Sequence, residues 1–130
     1  MEKSATRFKF TITHLKILET VEFLNKKHYY PLPHGVRKIL IGEEDEETIK
    51  FKDAPTFGTL ISYPDKKISR YVMMLQRYHY LDKKYDVKTN ELYLSISDLG
   101  IATILEYKKK HKVNYKKKTV NKEITIVNIE

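Results

Sequence analysis

The fold is decided by residues 64–100, PDKKISRYVMMLQRYHYLDKKYDVKTNELYLSISDLG. We expect a helix to begin at Pro64 and Asp65, because proline suits the first helical turn and an acid suits the positive end of a helix. Residues 80–96 then indicate a β-hairpin, since residues 80–85 have strand character, residues 86–90 suit a turn, and apolar side chains alternate with period two in residues 91–96. The segment therefore predicts a helix followed at once by a hairpin.

The predicted helix has two unlike faces. Its apolar residues recur at helical spacing and suit a core, with Tyr71 and Tyr78 beside them. These apolar residues are Ile68, Val72 and Leu75. The opposite face carries Lys66, Lys67, Arg70, Gln76 and Arg77. Such a helix can pack against a core with one side and bind a polyanion with the other.

Helical spacing also predicts elements before this segment. A first helix is expected from Thr13, as the N-cap, to Lys26 and Lys27. A second, short helix is expected at about His34–Ile41, ended by Gly42. Residues 54–60 indicate a turn that leads into a short helical stretch.

A last helix is expected after the hairpin. Ser97 and Asp98 suit its N-terminus, and its inward-facing residues are expected to be Ile101, Ile104 and Leu105. Residues 124–129 have strand composition and are expected to pair with residues 7–12 or with another molecule.

This order of elements predicts an α+β, mainly helical fold of the winged-helix class. A winged helix is a helix-turn-helix variant in which the hairpin, or wing, adds a second nucleic-acid contact. We expect one such domain at residues 1–106, with its wing at 80–96. Residues 107–130 are expected to form a lysine-rich C-terminal tail with a terminal strand.

The net charge of +8 is concentrated in that tail. Eight lysines and no acid lie between residues 108 and 122, so the rest of the chain carries no net charge. A solvated tail and a contact with a polyanion both remain open interpretations of this run. A membrane contact is not expected, because no apolar anchor accompanies the lysines.

The acidic run at residues 43–47 is best explained as a solvated loop. Carboxylates also suit a hard cation, but the run lacks the glycine and alternating spacing of a calcium loop. It could instead compete with nucleic acid for the lysine tail.

Composition excludes several classes. The chain has no cysteine, which rules out disulfides and thiolate zinc sites and favours a cytoplasmic protein. Its basic tail makes us expect a nucleoid-associated one. None of its four glycines forms the phosphate loop of an ATPase, and its five histidines lack metal-ligand spacing. No stretch approaches the roughly 20 apolar residues that cross a bilayer. We therefore expect a soluble protein that is not an enzyme and that has no cofactor, metal or small-molecule substrate.

Four motifs between Leu15 and Leu105 point to a family. They are Leu15-Lys16-Ile17-Leu18-Glu19, the turn Thr56-Phe57-Gly58, a helix ending at Leu75 before Tyr80-Leu81, and Leu94-Ser95-Ile96-Ser97-Asp98-Leu99-Gly100. Together they resemble the RQC domain, the winged-helix domain that follows the motor in RecQ-family DNA helicases. The last motif stands where that family has Leu-Thr-x-x-Gly. Standalone RQC-like proteins of bacteria are more similar than the helicase-borne domains.

The resemblance implies binding of duplex or forked DNA through the phosphate backbone, in DNA repair or replication. A helicase or another repair or replication protein is the partner that it implies. The contacts that it implies are Arg37, Lys38, Thr56, Gly58, Lys66, Lys67 and Arg70. Charge and placement add Arg77, the wing residues Lys83, Lys84 and Lys88, and the tail residues Lys108, Lys109 and Lys110.

The wing departs from the helicases, in which an aromatic residue at the tip stacks on the terminal base pair. Here the tip is expected at residues 87–90, with Tyr85 and Tyr93 down the strands. We therefore expect the wing to contact phosphates or the minor groove rather than to separate strands. Val87 as an apolar wedge between bases is the alternative.

Two other functions stay open. In a sequence-specific transcription regulator, Arg70, Gln76 and Arg77 would read base edges, and a dimer on a palindromic site would be expected. In a protein-interaction module, the tyrosine-rich surface and the terminal strand would bind a partner protein, with weak and salt-insensitive DNA binding.

Overall fold

The computed structural model describes residues 9–113 and 115, in an α+β arrangement compatible with a winged helix. This part of the chain contains four α-helices, one antiparallel hairpin and a short 3-10 helix at Ile49–Phe51. The helices are α1 (Ile12–Lys26), α2 (Pro33–Ile41), α3 (Asp65–Arg77) and α4 (Asp98–Lys110), and the strands are β1 (Leu81–Asp86) and β2 (Glu91–Ile96).

Helix α1 forms the centre of the molecule. It contacts α2, α3, α4 and β2, and it is therefore buried on most of its circumference. Its apolar side chains Leu15, Ile17, Leu18 and Val21 are all fully buried. The predicted core residues of α3, which are Ile68, Val72 and Leu75, pack into the same cluster. A helix with apolar residues around its circumference suits this central position.

The N-terminus of α1 begins two residues earlier than predicted. Thr11 is the N-cap, and its backbone N–H donates to Nδ1 of His14 at 2.9 Å. Thr13 instead lies inside the helix, where its buried hydroxyl is 3.2 Å from the Tyr63 hydroxyl. The prediction of Thr13 as the cap was wrong because a histidine at the third helical position can satisfy the Thr11 N–H, which spacing alone does not reveal.

Two glycines explain the close packing of elements. Gly42 ends α2 as predicted, in the left-handed conformation with φ of 80°, and a Cβ there would lie 3.2 Å from the Gly58 Cα atom. Gly100 lies in the first turn of α4, where a Cβ would lie 2.4 Å from the carbonyl oxygen of Tyr80. Any larger residue at 100 would push α4 away from the start of the hairpin.

The base of the hairpin is bound to α1 through Asn25. The side-chain oxygen of Asn25 accepts from the N–H of Ile96 at 2.7 Å, and its amide nitrogen donates to the carbonyl of Tyr29 at 3.1 Å. The Leu94 N–H donates to the carbonyl of Pro31 at 2.8 Å. Both predicted strands are present, with Leu81 paired to Ile96, and their base is held in a defined position.

Three predictions about helices need correction. No helical stretch follows the turn expected at residues 54–60, because residues 55–62 form turns and residue 63 forms a bend. A short 3-10 helix lies instead at Ile49–Phe51, where none was predicted. Ile104 is buried in α4, but Ile101 and Leu105 are 37% and 61% exposed. The reason is that α1 covers one narrow stripe of α4. The predicted terminal strand at 124–129 lies outside the described residues.

Candidate nucleic-acid interface

The exposed face of α3 is a basic surface. Lys66, Lys67, Arg70 and Arg77 are all exposed along it, opposite the buried apolar face. None of the four forms an ion pair with a carboxylate of residues 9–113 or 115. The Lys67 ammonium lies 5.1 Å from the centre of the Tyr63 ring, a cation–π contact that orients the lysine without neutralising it. The face thus keeps its positive charge.

Arg37 is placed differently from these residues. Its Nε lies 3.5 Å from a carboxylate oxygen of Asp65, the acid in the first turn of α3, and only 25% of its side chain is exposed. The pair joins α2 to the start of α3. Because its charge is already partly compensated, Arg37 is a weaker candidate for a phosphate contact than Arg70.

Lys38 is held by the acidic run. Its ammonium lies 2.7 Å from Asp45 and 3.9 Å from Glu47, and its side chain is 22% exposed. The hydrogen bond from Lys38 lowers the pKa of Asp45 to about 2, helped by N–H donors from Thr48 and Glu47, and the same contact raises the pKa of Lys38. Lys38 therefore stabilises the loop after α2.

The acidic run itself is more ordered than a solvated loop. Asp45 accepts from the N–H groups of Glu47 and Thr48, both at 2.9 Å, and Tyr29 donates to Glu47. Glu44 lies 3.2 Å from the Lys52 ammonium. These contacts pair three of the five carboxylates, those of Glu44, Asp45 and Glu47, with groups of the folded body, whereas Glu43 and Glu46 are exposed.

Thr56 and Gly58, the remaining contacts implied by the turn motif, point inward. Thr56 is fully buried, and its hydroxyl lies 2.5 Å from the hydroxyl of Thr20 on α1. The Gly58 N–H donates to the carbonyl of Ile39 at 2.8 Å. These bonds attach the turn to α1 and α2, and a phosphate contact at Thr56 or Gly58 stays a prediction.

The wing presents Lys83, Lys84 and Lys88, all exposed. Its tip is the predicted four-residue turn, in which Val87 is 81% exposed. Asp86 accepts from the N–H of Lys88 at 3.0 Å, and Asn90 has φ of 60°. The wing is thus a compact turn with an apolar side chain at its end and lysines around it.

The two wing tyrosines reach further toward the tip than expected. The Tyr85 hydroxyl donates to the side-chain oxygen of Asn90, and the Tyr93 hydroxyl lies 3.1 Å from that of Thr89. Tyr85 is 56% exposed. An exposed ring therefore flanks the turn, which strand alternation alone does not predict.

The first lysines of the predicted tail belong to α4. Lys108, Lys109 and Lys110 form its last turn, where their positive charge interacts favourably with the negative end of the helix dipole. Lys108 pairs with the largely buried Glu19 of α1, which also accepts from the Tyr115 hydroxyl, and Lys110 lies 3.4 Å from Glu106. The predicted boundary at 106/107 therefore falls within a helix, and Lys108 has a structural partner. Lysines 116–118 and 122 lie outside the described residues.

One feature absent from the sequence predictions is a groove beside α3, of about 420 Å³. It brings three cations together with aromatic and apolar side chains: Lys9, His14, Lys67, Arg70, Tyr71, Met74 and Tyr78. Burial lowers the pKa of His14 to about 4, so this ring is neutral at pH 7. The sequence places Tyr71 and Tyr78 beside the apolar face of the predicted helix, but Lys9 and His14 join them only through the tertiary fold.

No family model matches this sequence, and no curated protein shows significant similarity to it. Among the described helices, none has the length and apolar character that crossing a membrane requires. Within the same residues, no group of three or more histidine, cysteine or acidic side chains is arranged to hold a metal ion.

Proposed function

We propose that this chain is a non-enzymatic DNA-binding module, a winged helix of the RQC type that binds duplex or forked DNA through the phosphate backbone. One observation carries the proposal: the exposed face of α3 holds four cations without carboxylate partners among the described residues. The hairpin that follows α3 adds three more exposed lysines. Backbone contacts from such side chains give affinity that depends on salt and little on sequence.

The proposed contact surface is narrower than the one that the sequence predicts. It consists of α3 and the wing, and it omits Lys38, Thr56 and Gly58, whose polar groups are bonded internally. Gln76, the uncharged candidate for reading base edges, is half-buried, which favours phosphate contacts over base reading. The RQC-like protein is expected to serve a helicase or another repair or replication protein.

For contacts through α3 and the wing alone, the number of cations sets an upper limit on the salt dependence of DNA binding. Seven cations on α3 and the wing neutralise at most seven phosphates. The slope of log affinity against log salt should therefore be no steeper than about −6, at roughly −0.9 per phosphate. Lysines beyond α4 would make the slope steeper.

The test is fluorescence anisotropy with labelled single-stranded, duplex and forked DNA over a salt series. The double variant Lys66→Gln/Arg70→Gln should lose at least tenfold in affinity and about two units of salt slope. The matched control is Lys26→Gln/Lys27→Gln, which removes the same charge from the far end of α1 and should bind as the wild type does.

The outcomes separate the candidate functions. A preference for forks without sequence preference supports the proposal. A strong preference for one sequence favours a transcription regulator. If no DNA binds below about 10 µM at low salt, DNA binding is refuted and a protein-interaction module takes its place.

A further inference from the structure

The groove beside α3 has the charge of an anion site. Lys67 and Arg70 line it from the helix and Lys9 lines it from the segment before α1, while no carboxylate lines it. Lys67 and Arg70 form no ion pair with any described acid. A phosphate could therefore approach these three side chains without displacing an existing salt bridge.

The same groove has an aromatic and apolar wall. Tyr71 is half-buried and lies edge-on against His14, with ring centres 4.8 Å apart and an angle of 83° between the planes. Met74 of α3 and Tyr78, the residue that follows α3, are also half-buried and continue this wall. His14 adds no positive charge at neutral pH, so the wall suits a flat, uncharged ring system. Stacking on such side chains does not distinguish between bases.

The volume of about 420 Å³ is within the range of sites for small molecules. Cations at one side and rings at the other match a ligand that carries a phosphate next to a planar heterocycle. A nucleotide has this chemistry, whether it is free or is one unit of a DNA strand.

We propose that the groove of Lys9, Lys67, Arg70, Tyr71, Met74 and Tyr78 binds one unpaired nucleotide of a DNA strand. The base lies against the tyrosine and methionine side chains, and its phosphate is bound by the three cations. This inference rests on the proposed DNA binding and adds to it a site that recognises a strand end or a fork junction. The wing is then not the part of the molecule that holds the unpaired base.

The test compares two DNA duplexes of equal charge, each with a short single-stranded overhang. In one the first overhanging nucleotide carries its base, and in the other that position is abasic. The wild type should bind the base-containing duplex about tenfold more tightly, the usual effect of one stacked base. Tyr71→Leu and Tyr78→Leu should each reduce this ratio toward one while blunt duplex binds as before.

Tyr85→Leu is the matched control, because it removes an exposed tyrosine ring from the wing instead of the groove. It should leave the ratio unchanged. Thermal unfolding of each variant reports whether the fold is kept, and Tyr78→Phe, which keeps the ring, should retain the ratio if Tyr78→Leu loses stability.

The proposal is overturned if wild-type protein binds both overhangs equally, or if Tyr85→Leu rather than the groove variants removes the preference. In either case blunt-duplex binding would still support the proposed function, whereas absence of all DNA binding would refute both. Competition by a nucleoside monophosphate distinguishes the sources of the ligand. If a micromolar concentration of the monophosphate displaces half of the bound DNA, the groove binds a free nucleotide and the proposed site for a DNA strand is overturned.

Discussion

Replacing Thr56 by valine separates a structural role of the Thr-Phe-Gly turn from a DNA contact. The Thr20 hydroxyl donates to the Lys16 carbonyl at 2.8 Å, so the hydrogen bond of 2.5 Å between Thr20 and Thr56 must be donated by Thr56. Valine has nearly the shape of threonine but cannot donate. The variant therefore leaves the buried Thr20 oxygen without its donor.

The expected cost follows from that loss. Leaving one buried polar atom unpaired destabilises a protein by about 1–3 kcal/mol, and the smaller half of this range applies because Thr20 keeps its own bond to Lys16. Urea unfolding should therefore give a free energy of unfolding lower by about 1–2 kcal/mol at unchanged m value. The melting temperature should fall by about 4 °C for each kcal/mol.

A double-mutant cycle supplies the control. In Thr20→Val/Thr56→Val both hydroxyls are gone, so the double variant should be less destabilised than the sum of the two single variants. DNA affinity of Thr56→Val, measured well below its melting temperature, should stay within about twofold of wild type. The reasoning is refuted if stability changes by less than about 0.5 kcal/mol while DNA affinity falls fivefold or more.

Three further predictions test other parts of the structure. His14 has a pKa lowered from 6.5 to about 4 by burial, so the unfolded chain binds the proton more readily. The stability that His14 contributes is therefore present above pH 6.5 and is lost as pH falls toward 4. In urea unfolding over this pH range, the free energy of unfolding of His14→Gln should depend less on pH than that of the wild type. Asn25→Ala leaves the Ile96 N–H without its acceptor and should lower the free energy of unfolding by about 1–3 kcal/mol; unchanged hydrogen exchange at the base of β2 would contradict this. Leu105→Glu should change stability by less than about 0.5 kcal/mol because the leucine is 61% exposed, whereas Ile104→Glu should prevent folding; circular dichroism compares the two.

The elements that sequence reasoning located best are those whose signals are local. The hairpin follows from strand character at residues 80–85, a turn, and alternation at residues 91–96, and both strands lie within one residue of their predicted bounds. The apolar face of α3 follows from its spacing, and Gly42 ends α2 in the left-handed conformation that favours glycine. Each of these features depends on residues a few positions apart in the chain.

The failures concern contacts between distant residues. Ile101 and Leu105 have the same helical spacing signal as Ile104, but α1 covers only the stripe that contains Ile104. The short helix Ile49–Phe51 was not predicted, and it follows an acidic run whose Asp45 is bonded to Lys38 of the preceding helix. No local pattern reports such tertiary coverage.

Contacts between distant residues also decide which basic residues are available to bind a polyanion. Lys38 and Lys108 each pair with an acid of another segment, Asp45 and Glu19, and binding a phosphate with either would break an existing contact. Lys66 and Arg70 offer their charge at no such cost, since no described carboxylate pairs with them. Net charge cannot separate these two groups, because a paired and an unpaired lysine count equally in a sequence. The path of bound DNA is therefore expected along α3 and the wing, away from the surface of α2.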